Sequence, residues 1–193
     1  FYVAGNDADG FSEERSFTTG PATDEQCGVF TFSYLGDNRP DPTFGGGTNW
    51  DKILDQAAAH EPAFFMNGGD LVTDGDNIGG WVNYLTWSTD ITGEIPVMPV
   101  LGNHDTGPGE GDGAIYNQLF SLPRSEGEDG SGTEDYYYFT YGNAIFVGLS
   151  TETFKDDDPP MSTQAAWLDR VLTENPRKWR FVSYHKPPYT HPP

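Results

Sequence analysis

Three segments of the chain place possible metal ligands directly after apolar runs, at even spacing. Asp37 follows Gly36, Asp70 follows Gly69, and Gly102 precedes Asn103-His104-Asp105. The steps from Asp37 to Asp70 and from Asp70 to Asn103 are both 33 residues, about the length of one strand-helix-strand unit. Parallel strands in such units end at one sheet edge, where open α/β sheets bind ligands. We therefore expect these side chains to gather at that edge.

A fourth segment, Val182–His185, follows another apolar run and adds an imidazole. Two carboxylates, an amide oxygen and an imidazole suit Zn, Mn or Fe better than copper or a thiolate site. Each residue alone is also explained by a purely structural role, because a Gly-Asp pair often caps a strand and a lone His often packs in a core. The coincidence of four such segments favours a metal centre.

Composition narrows the classes of partner. The chain has 193 residues, 30 acidic against 10 basic, and a formal net charge of −20. This charge argues against nucleic-acid backbones and anionic membrane surfaces as partners, and no apolar stretch is long enough to span a membrane. Acidic runs at 125–135 and 156–158 are typical of solvated loops on a secreted or salt-adapted protein. Apolar residues make up 35% and aromatic residues 15%, so aromatic rings must fill much of the core.

The elements that position the ligands follow a βαβαβ pattern and then a mixed, partly antiparallel section. We predict the end of a β-domain over residues 1–20, a break at Gly20-Pro21 and a linker over 22–26. An α/β or α+β domain follows, with helices covering a sheet. Its predicted strands span 29–35, 63–66, 95–101, 136–141, 144–149 and 180–184, and its helices 50–60, 80–89, 114–122 and 162–174.

In chain order, Asp37, Gly69-Asp70, Gly102–Asp105 and Val182–His185 resemble the ligand blocks of the calcineurin-like metallophosphoesterases, and most closely the purple acid phosphatase branch. Residues 1–20 resemble the last strands of the fibronectin type III-like domain that precedes the catalytic domain in that branch. The resemblance implies a four-layer β-sandwich flanked by helices over residues 21–193. It also implies that this domain is incomplete, because the family's C-terminal G-H-x-H block, with two further ligands, is absent. We therefore expect poor metal binding by this excerpt alone.

The resemblance further implies a hydrolase with two metal ions, of Zn, Mn or Fe. Asp37 would bind the first ion, Asp70 would bridge both, and Asn103 and His185 would bind the second. A hydroxide between two cations about 3.5–4 Å apart would attack phosphorus in line.

The same resemblance suggests roles beside the metals. His104 would stabilise the transition state or protonate the leaving oxygen, with Asp105 orienting its ring. Arg39 stands where the family often has a histidine, and we interpret it as a phosphate clamp. Apart from the resemblance, His191 lies in a Pro-rich loop near His185, where we expect it either to touch substrate or to be simply exposed. Thr73 replaces the tyrosine that colours the purple branch, so we predict a colourless enzyme.

These observations predict a metal-dependent phosphoesterase acting on small phosphomonoesters, outside the cell, in the periplasm or at the cell surface. A phosphodiesterase or nucleotidase on the same scaffold remains an alternative, which the loops at 38–48 and 108–113 would decide. A cell-surface binding module with a degenerate site is a second alternative. The sequence leaves the oligomeric state open.

Overall fold

The computed structural model describes residues 2–3, 5–8, 10–21, 28–40, 47–108, 114–125, 130–152 and 161–189. Within them, helices and strands alternate much as the sequence predicts. The strands are β1 (Gly5–Asn6), β2 (Gly10–Phe11), β3 (Ser33–Leu35), β4 (Phe65–Asn67), β5 (Val97–Pro99), β6 (Tyr137–Tyr141), β7 (Ala144–Gly148) and β8 (Trp179–Ser183). The helices are α1 (Gly47–Ala58), α2 (Ile78–Thr92), α3 (Ile115–Leu119) and α4 (Met161–Glu174).

Two three-stranded sheets form the centre of the fold. In the first sheet, β3, β4 and β5 are parallel neighbours in that order. In the second sheet, β6 and β7 pair antiparallel, as the predicted partly antiparallel section requires, and β8 lies parallel to β7 at the edge.

Successive residues of a strand point to opposite faces of the sheet. The side chains of each strand therefore show which layer packs on each face. In β4 and the residue before it, Phe64 and Met66 belong to the cluster shared with Phe146 of β7. Phe65, between them, packs with residues of α1 and α2. In β7, Ile145 and Val147 instead pack against Trp167 and Val171 of α4. The order helices, sheet, sheet, helix confirms the predicted four-layer sandwich.

Aromatic rings fill the space between the sheets. Phe146 is fully buried, and its ring centroid lies 5.0 Å from those of Phe32 and Phe64 and 4.9 Å from that of Phe181. These offset and edge-on contacts are the arrangements that aromatic pairs prefer. The high aromatic content of the chain is therefore explained by its core.

Several predicted boundaries were wrong. β3 and β5 are shorter than predicted, although the backbone still pairs before β3 through Ala63 N–H and Thr31 O at 2.8 Å. Helix α2 starts two residues earlier, because the Asn77 side chain caps it by accepting the Gly79 N–H. Leu85, four residues after the buried Trp81 in α2, is 38% exposed.

The N-terminal segment packs against the end of α2. The Tyr2 hydroxyl donates to the Gly93 carbonyl, and Arg15 Nη1 donates to the Thr89 carbonyl at 2.9 Å. A fibronectin type III-like origin for this segment stays a prediction. Of the helices in the described part of the chain, none has the length and apolar character needed to cross a membrane.

Candidate metal centre

The first three predicted ligand segments begin at one edge of the first sheet. Leu35, Asn67 and Pro99 stand side by side at the ends of β3, β4 and β5, in steps of 32 residues. The predicted ligands lie two, three and four residues beyond these partners, which accounts for their spacing of 33. The regular spacing therefore reflects strand register, as expected.

The turns that carry these ligands have an unusual backbone. Asp37, Arg39 and Asp70 have positive φ values of 52°, 22° and 58°, a region that costs residues other than glycine about 1–3 kcal/mol. Backbone hydrogen bonds hold the turns together, from Asp37 N–H to Gly69 O at 2.9 Å and from Arg39 N–H to Asp70 O at 3.1 Å. Strained residues that are held in this way often cluster at functional sites.

Asp37, Asp70 and His185 converge across the two sheets. Each offers one ligand atom, and these atoms lie within 4.8 Å of one another. Asp37 is exposed, whereas the side chains of Asp70 and His185 are only 4% and 9% exposed. Asp37 and Asp70 come from the first sheet, and His185 follows β8 of the second.

The chemistry of this cluster fits a divalent cation. His185 Nδ1 lies 2.8 Å from the Gly68 carbonyl, to which it donates its proton. The lone pair of Nε2 then faces Asp70 Oδ1 at 3.1 Å. Two acceptors this close repel each other unless a proton or a metal cation lies between them, and neutral imidazole with carboxylate is a common metal-binding set.

Asn103 lies between two residues that contact Asp70. The Gly102 backbone packs against Asp70, and the His104 N–H donates to Asp70 Oδ1 at 3.1 Å. Asn103 itself is exposed. Its role as a ligand remains a prediction.

Arg39 and His104 form a pair beside the carboxylates. Arg39 Nη1 lies 3.1 Å from His104 Nε2, and Arg39 Nε lies 3.6 Å from Asp70 Oδ2. His104 Nδ1 lies 2.6 Å from the Thr73 carbonyl, which assigns the ring proton to Nδ1 and leaves Nε2 to accept from Arg39. The sequence could not predict that the Thr73 carbonyl contacts His104, because every residue type has a backbone carbonyl.

Asp105 does not orient the His104 ring, so this expectation was wrong. Both nitrogens of that ring contact Thr73 and Arg39, as described above. The Asp105 carboxylate instead accepts four backbone N–H groups, from residues 70, 71, 72 and 102, at 2.7–3.1 Å. Burial raises the pKa of Asp105 to about 7, although three of these bonds act to lower it. Asp105 therefore holds the turn that carries Asp70.

Two further predictions concern residues outside the described part of the chain. His191, the predicted substrate contact, is one of them. Most of the loop at 108–113, and part of that at 38–48, also lies there. The substrate roles assigned to these residues stay predictions.

Comparison with known proteins identifies the family of this chain. The family model described as calcineurin-like phosphoesterase matches residues 36–193. Purple acid phosphatase 13 of Arabidopsis thaliana is 28% identical over 116 residues, which cover 57% of this chain and 20% of that protein.

The solved structure of purple acid phosphatase PPD1 from yellow lupin (Lupinus luteus) seeds superposes with a TM-score of 0.61 at 19% identity. The match covers 88% of this chain and 32% of that one, and at this identity it supports the fold alone. The chain thus spans between a fifth and a third of the length of these two relatives. The matched residues 36–193 include all four predicted metal ligands, and the chain belongs to the calcineurin-like phosphoesterase family.

Proposed function

We propose that this chain is the metal-binding part of a metal-dependent phosphoesterase that hydrolyses phosphomonoesters. The observation that carries the proposal is the convergence of Asp37, Asp70 and His185, with ligand atoms within 4.8 Å of one another. The neighbouring Arg39–His104 pair supplies groups that can bind a phosphate. A location outside the cell or in the periplasm belongs to the same proposal.

In this proposal Asp37 would hold one divalent metal ion, Asn103 and His185 would hold a second, and Asp70 would contribute to both. Bound metal would supply Lewis-acid activation of water and neutralisation of phosphate charge. The protein's own contribution is to keep the ligands in place before binding. Asp105 does so for Asp70 through the backbone, and the Gly68 carbonyl does so for His185.

Arg39 favours a monoester over a diester in this proposal. A terminal phosphate carries up to two negative charges and three free oxygens, and the guanidinium fork binds two of these oxygens at once. A diester carries one charge and presents fewer oxygens. The Arg39 side chain is 40% exposed, so an entering phosphate can reach it.

His104 presents Nε2 to the same space. Its Nδ1 proton is engaged by the Thr73 carbonyl, so Nε2 is the atom at which this ring would take up or give a proton. Once a phosphate oxygen occupies Arg39, the Arg39–His104 contact is released and Nε2 faces the substrate. This arrangement supports a role at the leaving oxygen.

The test measures hydrolysis of p-nitrophenyl phosphate and bis-p-nitrophenyl phosphate with Mn²⁺, Zn²⁺ and Fe²⁺, in the longest form of the protein that can be expressed. We expect turnover of the monoester and its loss in Asp70→Asn. Asp51→Asn is the matched control, because Asp51 is exposed on α1 and accepts only the N–H of the next residue among its described contacts. Arg39→Lys should lower kcat/KM for the monoester by about 10–100-fold, the value of charge-assisted hydrogen bonds, and lower it less for the diester.

Three outcomes would contradict the proposal. Faster turnover of the diester would favour the phosphodiesterase or nucleotidase reading. An equal loss of kcat/KM for both substrates in Arg39→Lys would remove the argument for monoesters. Metal binding without turnover of either substrate would favour the degenerate binding module.

A further inference from the structure

We propose that the ion pair between the buried Glu152 and the half-exposed Lys186 is a positioning element for His185. This inference rests on the proposed metal-binding role of His185. It concerns a carboxylate that the proposed chemistry does not use, located on the second sheet.

Glu152 is unusually buried for an ionised side chain. Its residue exposure is 2%, and its side chain has none. Lys186 Nζ lies 2.8 Å from both carboxylate oxygens, and the Thr151 hydroxyl donates to Oε1 at 3.0 Å. A buried carboxylate needs such partners, because an unpaired charge in this position is very costly. Both oxygens are occupied, so Glu152 is not free to act on a substrate.

The pair joins the loop after β7 to the loop after β8. Glu152 lies four residues beyond the end of β7, and Lys186 three residues beyond the end of β8, next to His185. The Lys186 N–H also contacts the Thr151 hydroxyl, at 3.4 Å. The residue after His185 is thus tied by backbone and side chain to the loop after β7.

Helix α4 anchors this loop in turn. Gln164 is buried, and its side-chain amide forms two hydrogen bonds with the Ser150 backbone, at 2.9 and 3.0 Å. The Ser150 hydroxyl accepts the Glu152 N–H at 3.1 Å. A continuous set of contacts therefore leads from the packed helix to the residue beside His185.

His185 needs such support because it is the predicted ligand from the second sheet. Its ring reaches Gly68 and Asp70, which follow β4 of the first sheet. Among the strands of the described residues, β8 pairs with β7 alone. A small shift of the loop after β8 would withdraw Nε2 from Asp70 without disturbing the other ligands. Partners that orient metal ligands in this way typically account for about 10–100-fold in metal affinity.

The experiment separates positioning from stability. Lys186→Met alone would leave Glu152 buried and unpaired, so the informative variant is the double change Glu152→Gln with Lys186→Met, which removes both charges. We expect it to fold with a thermal midpoint close to wild type, yet to bind Mn²⁺ about 10–100-fold more weakly. Lys186→Arg keeps the ion pair and should keep the affinity.

Two controls make the result specific. The half-buried pair Arg124–Glu134, at 3.7 Å, changed to Met and Gln, should leave Mn²⁺ affinity unaltered. In a His185→Ala background, the Glu152–Lys186 double change should cause no further loss, because interacting residues are non-additive. Imidazole ¹⁵N NMR should show the Nδ1-protonated tautomer of His185 in wild type. In the Glu152→Gln, Lys186→Met variant this tautomer should no longer predominate.

The inference is overturned if the folded double variant binds Mn²⁺ as tightly as wild type and retains the His185 tautomer. It is also overturned if the Arg124–Glu134 control loses as much affinity. If wild type, in the longest form of the protein that can be expressed, binds no Mn²⁺, the proposed function fails, and the NMR readout decides this inference. Loss of the tautomer then supports it, and retention contradicts it.

Discussion

Gly102→Ala should damage the candidate metal centre through one added methyl group. A Cβ at this position would lie 2.5 Å from Asp70 Oδ1 and 3.0 Å from Asp105 Oδ2, and it would overlap the Asp70 backbone nitrogen. Non-bonded heavy atoms need about 3.5 Å or more, so the turn carrying Asp70 must move by about 1 Å. The Gly102 φ is not in the left-handed region, so the effect comes from space alone.

The expected magnitudes follow from this displacement. Overpacking of a well-packed site costs about 1–3 kcal/mol of unfolding free energy, which for a chain of this length lowers the midpoint by about 2–12 °C. A 1 Å misplacement of a reacting group costs about 100-fold in rate. Urea unfolding measures the first effect, and Mn²⁺ titration with p-nitrophenyl phosphate turnover measures the second.

Gly80→Ala is the matched control. A Cβ there meets nothing nearer than 3.9 Å, and Gly80 lies inside α2, where alanine is favoured by about 0.5–1 kcal/mol. The control should therefore be slightly more stable and equally active. If Gly102→Ala kept wild-type stability and metal affinity, the close approach of Gly102 to Asp70 would not matter and the reasoning would be refuted.

Two other changes test the sandwich itself. Phe146→Ala removes a fully buried ring from the core between the sheets and should lower the free energy of unfolding in urea by about 3–5 kcal/mol. A loss below about 1 kcal/mol would mean that this core is loosely packed. Tyr34→Phe removes the 2.9 Å bond between the Tyr34 and Ser183 hydroxyls, which joins the first sheet to the second, and should cost about 1 kcal/mol. Ser183→Ala should have a similar effect, and the double variant should be no worse than either alone, whereas additive losses would show that the two hydroxyls act separately.

The order of strands and helices was predictable because side-chain pattern and layer are linked. Apolar runs such as those ending before Gly36, Gly69 and Gly102 are typical of buried parallel strands, and the spacing between them follows from their register. Exposure on helix faces was less predictable. Leu85 has the spacing of an apolar helix face in α2 but is 38% exposed. The shape of the neighbouring layers decides which of the apolar side chains on that face are covered.

By itself the sequence determined the ligand types, their positions after strands and the family they resemble. Only the tertiary structure decided which groups hold the predicted ligands and their neighbour His104. His104 is held by the Thr73 carbonyl, 31 residues away, and His185 by the Gly68 carbonyl, 117 residues away. Asp105 serves the backbone rather than its neighbour His104. The physical reason is that backbone N–H and C=O groups are the same in nearly every residue, so no pattern of side chains marks the few that the fold turns toward the site.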